Sequence, residues 1–284
     1  MRDESKIMTR ISGIVLCAYL LLAATASPQA PTVSIRPHKN SRTVDVNIRG
    51  YPRDTFRIDL PEVVHKDDQF LLGPEAGGFQ DSDVKWWRAG PRAWLTTYTK
   101  VGVGKYSIWM EPHGDEIEMR WLVQNLSQAE WQYVGATADF FFEKAPDFID
   151  PNLERTYVRI GGKWVALKAT DRSDGVWSQQ WYVPKGYRPT KLMGGKPHPK
   201  NSFGLSLDEP DNGLVAVVSK DGRMVVGQAF SKVQYICLNS PHCVHPAVHL
   251  GDIPAGKEAS ARGKFYFVTG SLDVLWQRYS RDFP

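Results

Sequence analysis

Cysteine is scarce in this chain, three residues in 284, too few for a scaffold built on disulfides. Blocks of like charge are missing as well. Lys plus Arg number 35 against 31 Asp plus Glu, a formal net charge of +4, and no basic cluster marks a face for a phosphate backbone. No nucleic-acid partner is expected. Helical periodicity is rare, low-complexity tracts are absent, and no Pro/Gly-rich linker divides the chain. The P-loop, G-x-G-x-x-G, G-x-S-x-G and H-E-x-x-H signatures are all missing, and Gly102-Val-Gly104 reads as a hairpin fragment. No cofactor is expected.

One long apolar run exists, Ile11 to Ala26, uncharged and preceded by Lys6 and Arg10. Ala24-Thr25-Ala26 closes it with small residues. A basic start, an apolar centre and an A-x-A-like end are the parts of a secretory leader. The run is shorter than the roughly 20 apolar residues that a spanning helix needs. Residues 1–26 are therefore expected to be a signal peptide, residues 27–284 one domain, secreted or periplasmic, with no stable membrane anchor after cleavage. Cys17 leaves with the leader. Cys237 and Cys243 remain, and an even pair in an oxidising compartment predicts a disulfide.

Strand signals fill the rest. Thr32 to Arg36 and Thr43 to Arg49 alternate around a turn at Asn40-Ser41, and Trp94 to Val101 and Tyr106 to Glu111 flank Gly102-Val-Gly104. Glu116 to Asn125 sets Ile117, Met119, Trp121 and Val123 on one face and Glu118, Arg120, Leu122 and Gln124 on the other. Such period-2 alternation is the mark of a half-buried strand. Gly161-Gly162 and Asp221-Gly222 mark further hairpin turns. Ser271 to Arg281 is the best helix, with Leu272, Leu275, Trp276 and Tyr279 in one stripe and Ser271 as a cap. Many short strands with Gly, Pro and Asp turns predict an all-β fold, a large antiparallel β-sandwich closed by a short C-terminal helix.

Two stretches carry a family likeness. Glu116-Ile-Glu-Met-Arg-Trp-Leu-Val-Gln-Asn125 with Leu126-Ser127 resembles the strand ending in Asn of galactose mutarotase-like carbohydrate-processing domains. Leu250 to Glu258, through Ile253, Pro254, Gly256 and Glu258, is similar to the turn before their last strand. The resemblance implies a large twisted supersandwich with a sugar-binding concave sheet face. In the aldose epimerases of that superfamily His and Glu side chains do acid/base work, and their motif has no match here.

Histidine is the first candidate for chemistry. His198 sits in a Gly/Pro-rich stretch with Lys200 and Asn201. His242, His245 and His249 lie in Pro241-His-Cys-Val-His-Pro-Ala-Val-His249. Pro241 and Pro246 rule out a continuous helix there, so both clusters read as loops and no metal site is expected. His198, His242 and His245 are expected to act as general acids or bases or to bond sugar hydroxyls, with Lys200 and Asn201 as further contacts. Trp86, Trp87 and Arg88, and Trp181 beyond them, are expected to bind substrate, an exposed Trp serving as a stacking platform. The expected partner is a carbohydrate ligand. The competing reading is a non-catalytic structural or interaction module of the envelope.

Overall fold

In the computed structural model, residues 32–66, 69–171, 179–187, 205–239 and 242–284 are described. The expected leader at 1–26 lies outside them, as do His198, Lys200 and Asn201. In chain order the strands are β1 (Val33–Pro37), β2 (Thr43–Ile48), β3 (Thr55–Lys66), β4 (Gln69–Leu72), β5 (Trp86–Arg88), β6 (Trp94–Lys100), β7 (Gly104–His113), β8 (Glu116–Asn125) and β9 (Trp131–Lys144). They continue as β10 (Thr156–Ile160), β11 (Lys163–Ala166), β12 (Gln179–Tyr182), β13 (Val215–Val218), β14 (Met224–Phe230), β15 (Val233–Asn239), β16 (Cys243–Ile253) and β17 (Glu258–Thr269). Helix α1 (Leu272–Asp282) ends the chain.

Two antiparallel sheets form. The first has eight strands in the order β1-β2-β3-β9-β16-β15-β12, with β4 on β3. The second has nine, in the order β11-β10-β13-β14-β17-β8-β7-β6-β5. The all-β sandwich read from alternation is the observed architecture. Strand β8 shows why: its burial alternates along its length, with Ile117, Met119, Trp121 and Val123 facing inward. Between the sheets the rings of Phe56, Phe140, Phe142, Phe148, Phe265 and Phe267 meet at centroid distances of 4.7–6.4 Å. Burying each ring stabilises the sandwich by about 1.5–3 kcal/mol against leaving it exposed.

The two stretches behind the family likeness meet in space. Asn125 Nδ2 donates to Ile253 O at 2.9 Å and to Ala129 O at 2.7 Å. Asn125 N donates to Lys257 O, and Gly256 N donates to Asn125 O. The strand-ending Asn therefore locks the turn before β17. Asn125-Leu-Ser127 has the form of a glycosylation sequon, but Asn125 is fully buried with its amide engaged twice and is not an exposed acceptor.

Helix α1 covers part of the outer face of the second sheet, burying Leu275 and Tyr279 against Leu214, Ala216, Val225, Tyr266 and Val268. Ser271 precedes it but makes no side-chain capping bond. Ions hold the helix instead: Arg278 pairs with Asp115 and Glu116, and Lys264 with Glu116 and Asp282.

Candidate functional site

The outer face of the eight-stranded sheet carries the unusual chemistry. Pairing places Asp59 opposite Asp139, Cys237 opposite His245, and Trp181 opposite Cys237. Paired residues share a face, so one cross-strand row runs Asp59, Asp139, His245, Cys237, Trp181. Cys243 lies two residues before His245 and faces the same way. These side chains are buried.

Backbone irregularity surrounds the row. Strand β3 sets Asp59 against Asp139 but Val63 against Thr137, so three residues oppose one. Such a bulge re-aims side chains, and this one brings Glu62 onto the outer face. On the other side, β9 pairs with β16 at Cys243–Phe141 and next at Val248–Ala136. Pro246 lies in this interval, and a proline cannot donate to a ladder.

His245 is bracketed by acids. Its Nδ1 is 3.2 Å from Asp139 Oδ1 and its Nε2 is 3.6 Å from Glu62 Oε2. Cys243 Sγ is 3.3 Å from Asp139 Oδ1 and 3.5 Å from His245 Nδ1. Arg42 stands behind, 4.0 Å from Asp139, 3.7 Å from Asp59 and 3.4 Å from Asp81. Burial, reinforced by the Glu62 charge, raises the Asp139 carboxyl above the ordinary range, against the pull of His245. Burial likewise pushes both thiols, Cys237 and Cys243, well above theirs.

Among the described residues several polar atoms on this face have no hydrogen-bond partner: Glu62 Oε2, both ring nitrogens of His65, Thr137 Oγ1 and Trp181 Nε1. Burial alone pulls His65 down to about 4, so its imidazole is neutral at ordinary pH. Gly135 makes room for it, since a Cβ there would stand 2.5 Å from His65 Nε2. Beside the row, His38, Asp45, Arg57, Phe141, Glu143 and Lys144 line a groove of about 210 Å³. Arg57 lies 3.8 Å from the Phe141 ring centroid and 3.5 Å from Glu143.

Of the residues singled out from sequence, His245 and Trp181 come together in the row. The region of His242 to His249 is not a loop but strand β16 from Cys243 onward, which is why His245 and Cys243 share a face. His242 sits in the turn before it at φ 58° and lines a small cavity with Phe142, Phe148, Leu238 and Cys243. His249 bonds Gln234. Trp86, Trp87 and Arg88 form β5, the edge of the other sheet. Trp86 donates to Ser41 O, Trp87 is exposed, and Arg88 stacks over Trp94. They do not reach His245.

The expected disulfide is not formed: Cys237 and Cys243 are both buried thiols. Register explains it. Cys237 faces His245 and Cys243 faces Asn239, so the cysteines are diagonal neighbours. Diagonal pairs are about 7–8 Å apart, whereas a disulfide needs Cβ atoms at roughly 3.8 Å. Sequence reasoning also missed Asp59, Glu62, His65 and Asp139. His65 and Asp139 sit in apolar-looking strand runs, where an ionisable side chain among apolar neighbours was the available signal.

No protein-family model and no curated protein matches the sequence. Solved structures do. Galactose mutarotase-like proteins resemble this chain. The Slr1438 protein of Synechocystis sp. PCC 6803 is similar at TM-score 0.46 and 10% identity, over 93% of this chain and 100% of that one. A putative aldose 1-epimerase of Escherichia coli K12 follows at TM-score 0.46 and 9% identity, over 84% and 100%. A galactose mutarotase related enzyme of Lactobacillus acidophilus has TM-score 0.44 and 10% identity, over 84% and 98%. The likeness is loose, and the fold described above rests on sheet order and register.

Proposed function

We propose that the outer face of the eight-stranded sheet binds and processes a saccharide, in an exported protein carried out by the leader at residues 1–26. One observation carries this reading. Buried polar atoms without hydrogen bonds, on Glu62, His65 and Thr137, gather on the face that holds the Asp139–His245 pair. Buried polar groups are nearly always bonded, and a concentration of exceptions is where a ligand or an ordered water supplies the partners. Sugar hydroxyls suit the set because each both donates and accepts. The buried Trp181 and Tyr235 rings, 4.5 Å apart, pack the apolar floor beneath this face.

In this reading Glu62 exchanges a proton with a ligand hydroxyl. It is the most exposed of the three acid/base groups, and His245 stands behind it at Nε2. Arg57 and Glu143 in the adjoining groove hold a further hydroxyl or sugar unit. His198, Lys200 and Asn201 are proposed as added contacts.

Calorimetric titration against a panel of mono- and oligosaccharides, with polarimetry for anomeric change, tests the reading. A saccharide that binds wild type and loses at least tenfold affinity or turnover in Glu62→Gln supports it. A panel with no binder, or a binder indifferent to both Glu62→Gln and His245→Ala, sinks it.

A further inference from the structure

Asp139, Cys243 and His245 do more than hydrogen-bond one another. Their three donor atoms form a closed triangle: Asp139 Oδ1 to His245 Nδ1 is 3.2 Å, Cys243 Sγ to Asp139 Oδ1 is 3.3 Å, and Cys243 Sγ to His245 Nδ1 is 3.5 Å. Tetrahedral zinc takes nitrogen and oxygen at about 2.0–2.2 Å and sulfur at about 2.3 Å. Those bond lengths give tetrahedral edges of roughly 3.3 Å from nitrogen to oxygen and roughly 3.5 Å to sulfur. The triangle has these dimensions without any movement of side chains.

The surroundings point the same way. His245 turns Nδ1 to the triangle and Nε2 to Glu62, 3.6 Å away. A metal-bound imidazole characteristically has a carboxylate at its other N–H, which fixes the ring and makes it a better ligand, and Glu62 is that neighbour at ion-pair rather than hydrogen-bond distance. Arg42 lies on the far oxygen of Asp139, Oδ2, and leaves Oδ1 to the triangle. All three donors are buried and stand on neighbouring central strands, β9 and β16, a rigid base for a coordination site.

We propose that Asp139 Oδ1, Cys243 Sγ and His245 Nδ1 bind one zinc ion, with Glu62 as the carboxylate that orients His245. Mixed nitrogen, sulfur and oxygen donors select zinc over magnesium or calcium, which take oxygen. On binding, the Cys243 S–H bond breaks, its proton goes to buffer, and a sulfur–zinc bond forms. Three protein ligands leave the fourth position to a water or a ligand oxygen, the pattern of a catalytic rather than a structural zinc. The proposal stands on the donor triangle and is independent of the saccharide reading.

The test loads the purified protein with zinc, removes excess by gel filtration and measures metal by elemental analysis. One zinc per chain is expected in wild type and in His242→Ala, whose ring lies outside the triangle. At least a tenfold loss of bound metal is expected in Cys243→Ser, Asp139→Asn and His245→Ala. Because buried substitutions can unfold a strand, circular dichroism accompanies each variant. Cobalt(II) substituted into wild type supplies a second readout, a thiolate-to-cobalt charge-transfer band that Cys243→Ser abolishes. Folded wild-type protein that retains no zinc and shows no such band overturns the proposal, as does zinc retained in all three ligand variants. Saccharide titration of metal-stripped and zinc-loaded protein separates the two ideas: sugar binding without zinc retention removes the metal site alone, and zinc retention without sugar binding removes the saccharide reading alone.

Discussion

Two charged networks sit on the outer faces of the two sheets, and they are built to opposite rules. Under α1, Lys264, Arg278, Asp115, Glu116, Asp282 and the Tyr266 hydroxyl are joined by close hydrogen bonds, each charge meeting its opposite. Around His245, four carboxylates (Asp59, Glu62, Asp139 and Asp81) share Arg42, Arg57 and an imidazole at 3.2–4.0 Å, and Glu62 has an oxygen with no hydrogen bond. The first network is satisfied and holds a helix. The second is under-satisfied among the described residues and is the face proposed to take a ligand. Native folds tolerate unsatisfied polar groups where function needs them, so under the saccharide proposal the contrast is one between structural and functional charge.

The comparison breaks most easily at Arg278. Arg278→Ala leaves Asp115 without its cation and Glu116 with Lys264 alone, and about 3 kcal/mol of stability is expected to go, because a largely buried charge loses its partner. Urea unfolding followed by tryptophan fluorescence and circular dichroism measures it. A loss below about 1 kcal/mol would make the helix network decorative and dissolve the contrast.

The next effect belongs to the other face. His65 is pulled down to about 4 from 6.5, so the unfolded chain takes up a proton first as pH falls. Stability is then complete above pH 6.5 and declines as pH drops toward 4. Between pH 7 and pH 5 this one group accounts for about 2 kcal/mol. Wild type and His65→Leu should diverge in thermal melts across that window, with the variant showing the flatter acid limb. Parallel curves would show that His65 finds a partner in solution.

Gly135 tests how tightly that imidazole is held. A Cβ at this position stands 2.3 Å from Gln234 Oε1 and 2.5 Å from His65 Nε2, both side-chain atoms that can yield. Gly135→Ala is expected to cost about 1–2 kcal/mol through overpacking. Chemical denaturation of the variant gives the value, and a cost under a few tenths would mean the pocket is roomier than its contacts imply.

The fold was far more legible in the sequence than the site. β8, the hairpins β1–β2, β6–β7, β10–β11 and β13–β14, and α1 all announce themselves, because alternation and turn residues are local. The site depends on register, which is not local. His245 and Asp139 stand 106 positions apart, and nothing in either segment says that β9 and β16 are neighbours. The two prolines around His245 pointed to a loop, yet Pro246 is accommodated inside a strand where the ladder between β9 and β16 lapses. The cysteine pair misled for the same reason: proximity in sequence became a diagonal, and not a facing pair, once the register was set. Even so, His245 and Trp181 were picked out by residue type, and both landed in the row.

The smallest change in stability is expected from the substitution of Glu62, the acid/base group of the saccharide proposal. Glu116→Gln and Glu62→Gln remove the same charge with the same shape, one from each network. Glu116 accepts from Lys264 and Arg278, both at 2.6 Å, and losing two charge-assisted bonds is expected to cost about 2 kcal/mol. Glu62 Oε2 makes no hydrogen bond, so its amide forfeits none. Removing its charge also relieves Asp139, whose carboxyl Glu62 helps to hold above the ordinary range. Glu62→Gln should therefore unfold within about 0.5 kcal/mol of wild type, or slightly later, since a group that strains the fold for function repays removal with stability. Equal losses from the two substitutions, measured in one denaturant series, would show that the Glu62 carboxylate is as structural as Glu116 and that the two faces obey the same rule.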